Sequence, residues 1–303
     1  MDRRTFLKSA MVAGAGAGLA PLLKIVPMVR AADAPSSTLA VTEGTDYGAL
    51  TTRVIDALGG ISGFVKPGHR VVVKPNIGWD RNPDQAATTH PDIVTSIIKL
   101  ALAAGASQVH VFDYTCNEER RCYVNSGIQK AVESIGDSKV RCEFIDRRKF
   151  VPMAIEKGKS ISKWDFYKDA IDADCYINVP IAKNHGISKL TLGMKNCMGV
   201  IGGNRGQIHF SIGQRLADLN YVLRPELTII DATRILIDNG PQGGSLDDVR
   251  VKNTVIASRD IVAADSYATT LFGMKPEDIG STVAGYQLGL GEMDLNKIRI
   301  VRA

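Results

Sequence analysis

The chain has 303 residues, of which 45% are hydrophobic and 23% are charged, and its formal net charge is +5. Residues 1–31 contain five basic residues and one acidic residue, so the rest of the chain holds 32 basic and 31 acidic side chains, a net charge of +1. This nearly neutral balance gives no support to nucleic-acid binding. Residues 32–303 have a length that suits a single α/β domain.

The first 31 residues have the order of a targeting segment. Arg3 and Arg4 precede a Gly/Ala-rich stretch over residues 10–23, an order that resembles a twin-arginine export signal. An ordinary secretory signal or a membrane anchor is the alternative. A spanning helix needs about 20 apolar residues, and this stretch is shorter and interrupted by glycines, so we expect no stable membrane span. We predict a periplasmic protein, exported folded by the twin-arginine translocase and cleaved after Ala31 or Ala34.

Downstream, short β-branched runs alternate with longer amphipathic segments. Strands are predicted at residues 39–42, 69–74, 108–112, 140–145, 175–179, 227–230, 251–257 and 298–301, and helices at 47–58, 91–102 and 127–135. This alternation indicates an α/β fold of three layers, in which a mostly parallel or mixed sheet is covered by helices on both faces.

Ligands of such sheets bind beyond the carboxyl ends of the strands, so the segments that follow the strands are the candidate site. Lysine and asparagine recur there, and we expect these side chains to form a cleft that attracts a phosphate, carboxylate or oxyanion. The candidate anion-binding residues are Lys74, Asn76, Lys183, Asn184, Lys195, Asn196 and Arg205. His185 and His209 are the candidate catalytic residues, because histidine moves protons near neutral pH. The alternative is that the lysines are solvated surface charges and the asparagines turn formers.

Several of these segments resemble the uncharacterised domain-of-unknown-function family 362. The resemblance covers about residues 71–231, and its most specific parts are Thr115–Asn117 with Arg121–Tyr123, Ala182–His185, and Lys195 and Asn196 with Gly199. Several members of that family are exported by the twin-arginine route, and some are fused to iron–sulfur modules. The resemblance implies a family but no particular reaction.

Two cysteines, Cys116 and Cys122, lie among arginines in the segment that follows a predicted strand. A disulfide between them, ligation of an iron–sulfur cluster or zinc, and free thiols all remain open. Folded export favours a cofactor that is inserted before export. A 4Fe–4S cluster needs four thiolates as a rule, so either two chains share one cluster across a twofold axis, or Cys197 joins the site with a ligand other than cysteine.

These observations predict an exported iron–sulfur protein, with a 4Fe–4S cluster in a homodimer. It would act in periplasmic electron transfer with a redox partner protein, or in the reduction of a small anionic substrate. The alternative is an anion-binding or hydrolytic protein that uses the Lys/Asn/His cleft and carries a Cys116–Cys122 disulfide.

Overall fold

The computed structural model of the protein describes residues 37–303. The predicted export signal, residues 1–31, and both cleavage positions lie outside the described residues. Within the described range, no helix is long and apolar enough to cross a membrane.

Strands and helices alternate along residues 37–303. The strands are β1 (Ser37–Glu43), β2 (Arg70–Pro75), β3 (Gln108–Val111), β4 (Val140–Cys142), β5 (Phe150–Ala154), β6 (Lys163–Tyr167), β7 (Cys175–Val179), β8 (Ile181–His185), β9 (Lys189–Thr191), β10 (Leu227–Leu236), β11 (Val249–Ser258) and β12 (Ile298–Arg302). The α-helices are α1 (Tyr47–Asp56), α2 (Pro91–Ala103), α3 (Glu119–Asn125), α4 (Ile128–Glu133), α5 (Lys168–Ile171), α6 (Gly193–Asn196), α7 (Ile212–Val222), α8 (Ile261–Thr270) and α9 (Gly280–Gln287).

The main sheet is mixed, with a parallel centre. Its strand order is β12-β1-β11-β10-β7-β2-β3-β4, and the run from β10 to β4 is parallel throughout. Strand β11 is antiparallel to both β1 and β10, and β8 pairs in parallel with β10. Strands β5 and β6 form a separate antiparallel hairpin. The predicted mostly parallel sheet is therefore confirmed.

Alternate residues of β2 show how the layers are built. Val71 and Val73 pack into a core cluster with apolar residues of α1, α2 and α4, whereas Val72 packs into a second cluster with residues of β6 and α7. Successive side chains of a strand point to opposite faces of its sheet. The sheet is therefore covered on both faces, as the three-layer prediction requires.

Parallel β2, β3 and β7 end at the same edge of the sheet, because Lys74 lies opposite Asn178 and Val73 lies opposite Val111. Val71, Val72 and Val73 are all buried, as is typical of a central strand covered on both faces. The chain segments that leave these strand ends carry the candidate site.

Candidate functional site

A cavity of about 440 Å³ lies beyond the carboxyl ends of β2 and β3. It receives residues from the segments that follow β2, β3 and β7 and from the segment around α6. The sequence-predicted residues that line it are Lys74, Asn76, Cys116, Lys183, His185, Lys195, Asn196, Arg205 and His209. The cleft inferred from the sequence is therefore present as one cavity.

A buried chain of polar contacts forms the floor of the cleft. The Nζ atom of Lys74 lies 2.8 Å from Oδ1 of Asp113 and donates to Oδ1 of Asn196 at 2.7 Å. The same Asn196 oxygen accepts from Nδ2 of Asn76 at 3.1 Å. Nζ of Lys183 then donates to Oδ1 of Asn76 at 3.2 Å. Because these links connect the end of β2 with Asp113, Lys183 and Asn196 on three other segments, the network fixes the segments relative to one another.

The packing around this floor is so tight that position 199 requires a glycine. A Cβ atom at Gly199 would lie 1.7 Å from Oδ1 of Asp113 and 2.6 Å from Nζ of Lys74. Only a residue without a side chain lets the backbone approach the buried ion pair so closely.

Lys183 and Lys195 are the lysines of the cleft that no carboxylate neutralises. Among residues 37–303, neither amine forms an ion pair; Lys183 also donates to the carbonyl of Ala87, and Nζ of Lys195 lies 3.4 Å from Sδ of Met198. Burial lowers the pKa of Lys183 to about 7 and that of Lys195 to about 8. Lowered lysine pKa values of this kind are typical of functional sites.

Helix α6 positions Lys195 and Asn196. Its first two backbone N–H groups, those of Gly193 and Met194, donate to the two carboxylate oxygens of Asp265 at 2.7 and 2.9 Å. Asp265 is buried, and burial raises its pKa to about 7. A carboxylate at this end of a short helix satisfies N–H groups that have no partner within the helix.

Arg205 organises the wall of the cleft. Its guanidinium donates to the carbonyls of Tyr114 and Thr115, both at 2.7 Å, and to that of Met198 at 3.2 Å, and it lies 3.8 Å from the centroid of the Tyr114 ring. These acceptors carry no formal charge, so Arg205 adds positive potential while it holds two segments together.

His185 and His209 lie in the cleft with stacked rings, whose centroids are 5.8 Å apart. Nδ1 of His185 accepts from the backbone N–H groups of Ile187 and Ser188, so the neutral ring carries its proton on Nε2. Burial lowers the pKa of His185 to about 3, so this ring is a neutral donor. Nδ1 of His209 lies 3.2 Å from the carbonyl of Gly206, which can only accept, so Nε2 of a neutral His209 is left as an acceptor. Burial also lowers the pKa of His209.

Asn184 does not lie in the cleft, in contrast to the sequence-based prediction. Its Oδ1 atom accepts from the backbone N–H of Gly240 at 3.1 Å and so holds the turn after β10. Lys183, Asn184 and His185 are successive residues of β8, and successive side chains point to opposite faces. Lys183 and His185 therefore share the cleft, and Asn184 faces away from it.

The three candidate metal-ligating cysteines are separated. Cys116 is exposed and lines the cleft, and Cys122 is fully buried. All the cysteines are free thiols, so the structure does not contain the Cys116–Cys122 disulfide of the alternative prediction. Cys122 and Cys197 belong to core clusters on opposite faces of the sheet. Burial raises the pKa of Cys122 to about 11 and that of Cys197 to about 12.

This arrangement does not fit a cluster held by Cys116 and Cys122 across a dimer axis, because the side chain of Cys122 is buried among apolar residues of its own chain. Nor do the described residues contain a group of three or more His, Cys, Asp or Glu side chains placed to bind a metal ion. The 4Fe–4S cluster and the homodimer stay predictions, which iron analysis and sedimentation of anaerobically purified protein would test.

Sequence reasoning missed three residues that build the site. Asp113 neutralises Lys74, Asp265 caps α6, and Asn178 accepts from Nδ2 of Asn196 at 2.8 Å while its own Nδ2 donates to the carbonyl of Gly193. Asn178 could have been found, because an amide inside the otherwise apolar run of β7 needs buried partners. Asp265 lies in a helix far along the chain and gives no such signal.

Fold and site together define an α/β protein with a cationic cleft at the carboxyl ends of its parallel strands. The family model described as "Domain of unknown function (DUF362)" matches residues 71–270. The chain belongs to this family.

One similar relative is the Thylakoid-associated protein sll1697 of Synechocystis sp., which is 28% identical over 245 residues, or 78% of this chain and 73% of that protein. Among solved structures, the lactate racemase apoprotein of Thermoanaerobacterium thermosaccharolyticum aligns with a TM-score of 0.47 and 11% identity, over 77% of this chain and 56% of the racemase. A Thermotoga maritima protein aligns with a TM-score of 0.41 and 10% identity, over 76% of this chain and 60% of its own. The chain thus spans less than two thirds of either solved structure.

Proposed function

We propose that the cleft binds a small organic anion and transfers protons to or from it. The observation that carries this proposal is the pair Lys183 and Lys195, two enclosed amines without a carboxylate partner that lie in one cavity with His185 and His209. A buried cation is destabilised by the loss of its hydration, and a bound anion would offset that loss.

Each group has a separate part in this function. Lys74 is neutralised by Asp113 and serves as scaffold, so Lys183 and Lys195 supply the charge that holds the anion. The neutral His185 ring donates from Nε2 and orients the anion. Nε2 of His209 is the base, and Lys183, whose pKa is about 7, can supply or accept the second proton near neutral pH.

Alkylation of Cys116 tests anion binding directly, because this exposed thiol lines the same cavity. Iodoacetate and iodoacetamide both form a thioether and release iodide, but only iodoacetate carries a carboxylate. We expect the iodoacetate-to-iodoacetamide rate ratio at Cys116 to fall about tenfold or more in Lys195→Met, because a hydrogen bond to a charged group contributes about 1.5–3 kcal/mol. Mass spectrometry identifies the labelled cysteine.

Lys189→Met is the matched control, since Lys189 is an exposed lysine of β9, the strand just before α6, and does not line the cavity. The Lys189→Met variant should have the same rate ratio as the wild type. In the wild type, added phosphate or acetate should slow the alkylation of Cys116. Equal rate ratios in the wild type and Lys195→Met, with no protection by either anion, would contradict the proposal.

We also propose that the chain is exported by the twin-arginine route. This proposal rests on the order of residues 1–31, and its test is given in the Discussion.

A further inference from the structure

The mouth of the cleft differs in character from its floor. Lys74, Asn76, Lys183 and Asn196 are buried at the floor, where hydrogen bonds join their side chains. Nearer to solvent, the lining combines the polar residues Cys116, Lys195, Arg205 and His209 with a group of apolar or aromatic residues. This apolar rim consists of Trp79, Tyr114, Ile187, Met198 and Pro241.

The rim residues come from five separate connections that converge on one opening. Trp79 follows β2, Tyr114 follows β3, Ile187 lies between β8 and β9, Met198 follows α6, and Pro241 follows β10. Ile187 is 61% exposed and the other four are half-buried. Single exposed apolar residues are common on proteins, but a group that surrounds a cationic cleft indicates a ligand.

The charged amine of Lys195 contacts the apolar rim. The cavity is also larger than an anionic group alone requires. Nζ of Lys195 lies 3.4 Å from Sδ of Met198, so an anion held by this amine also adjoins the rim. A water molecule occupies about 30 Å³ of liquid volume. A bare phosphate or carboxylate group has only a few heavy atoms, so it would fill only a small part of the 440 Å³ cavity.

We infer that the ligand is an amphipathic anion, a carboxylate or phosphate group joined to an apolar chain or ring. Its anionic group is held by Lys183 and Lys195, and its apolar body lies against the rim. This inference rests on the proposed function and adds the class of substrate to it.

Calorimetric titration of the full chain with acetate, butanoate, hexanoate and hexanamide tests the inference. We expect the affinity to rise about fourfold for each methylene group that the rim buries, and hexanamide to bind at least tenfold more weakly than hexanoate because it lacks the charge. Inorganic phosphate and hexyl phosphate form a second arm. If the affinity rises more from inorganic phosphate to hexyl phosphate than from acetate to hexanoate, the ligand is a phosphate ester. If it rises more in the carboxylate series, the ligand is a carboxylic acid.

Ile187→Ser should reduce the rise in affinity from acetate to hexanoate. Val251→Ser is the matched control, because Val251 is 62% exposed and does not line the cavity; it should leave the whole series unchanged. Equal affinities for acetate and hexanoate, both weakened by Lys195→Met, would overturn the amphipathic ligand and leave the proposed function standing. If no anion binds, or if Lys195→Met has no effect on binding, the proposed function itself fails.

Discussion

At the scale of single residues, the chemistry of the cleft depends on which lysines are neutralised. The sequence identifies Lys74, Lys183 and Lys195 as a group, because each stands beside or near an asparagine after a strand. It does not reveal that Asp113, 39 residues away, neutralises Lys74 and leaves the other two without a carboxylate partner. Long-range pairing of this kind has no local pattern, so the division into scaffold and binding lysines comes only from the structure.

The affinity of the cleft for a carboxylate should fall as the pH rises from 6 to 9. The pKa values of Lys183 and Lys195 are about 7 and 8, so both amines are charged below pH 7 and lose their protons as the pH rises through these values. The carboxylate ligand stays ionised over this pH range, so the change in affinity reflects the titration of groups on the protein. With about 1.5–3 kcal/mol for each charged hydrogen bond, we expect a loss of tenfold or more in calorimetric titrations.

Lys183→Met separates the two titrations. In this variant, the decrease in affinity near pH 7 should be absent, and the decrease in affinity near pH 8, where Lys195 titrates, should remain. An affinity that is constant from pH 6 to 9 in the wild type would show that these amines do not hold the ligand.

Replacement of Gly199 by alanine should strongly destabilise the protein. The added Cβ would lie 1.7 Å from Oδ1 of Asp113 and would separate it from Lys74. Disruption of a buried ion pair costs about 3–5 kcal/mol, and chemical denaturation measures this loss in the free energy of unfolding. Gly186→Ala is the control, because a Cβ there meets nothing within 4 Å; a similar loss in both variants would refute the role of the close approach.

At the scale of elements, the sequence predicts the apolar strands well and the polar ones poorly. Residues 175–179 are apolar enough to indicate β7, and the prediction agrees with the structure. Residues 181–185 contain Lys183, Asn184 and His185 and give no strand signal, yet they form β8. Without a strand signal, the sequence does not reveal that the side chain of Asn184 points away from those of Lys183 and His185. The burial of Cys122 is hidden from the sequence for the same reason: it lies on the buried face of α3, a helix that its polar neighbours do not indicate.

The cap of helix α6 provides a test at this scale. Asp265→Ala would leave the N–H groups of Gly193 and Met194 without their partner, which costs about 1–3 kcal/mol in the free energy of unfolding. Lys195 lies on this helix, so we also expect weaker protection of Cys116 by acetate.

Ser266→Ala, in the next position of α8, is the control. The Ser266 hydroxyl is buried and has no hydrogen-bond partner among the described residues, so its loss should leave both stability and protection nearly unchanged. Asp265→Ala with unaltered protection would mean that the cap stabilises the fold without positioning the lysine.

At the scale of the whole molecule, the alternation of strands and helices was sufficient to predict the three layers and the edge of the sheet that carries the site. Parallel β2, β3 and β7 bring their carboxyl ends together, so residues more than a hundred positions apart, such as Lys74 and Lys183, line one cavity. The β5–β6 hairpin is not among the predicted strands, and the cap of α6 has no local signal because Asp265 is 72 residues from Gly193.

The location of the protein belongs to the same scale, because the twin-arginine route carries chains that have already folded. Replacement of Arg3 and Arg4 together by lysine should keep the precursor in the cytoplasm, since the paired guanidinium groups are not equivalent to two lysine charges. Fractionation and immunoblotting measure the distribution of precursor and mature chain. Lys8→Gln removes one positive charge outside the pair and should leave export intact, which separates recognition of the arginines from net charge. Normal periplasmic yield in a strain that lacks the translocase would contradict this route, because an ordinary secretory signal would then be sufficient.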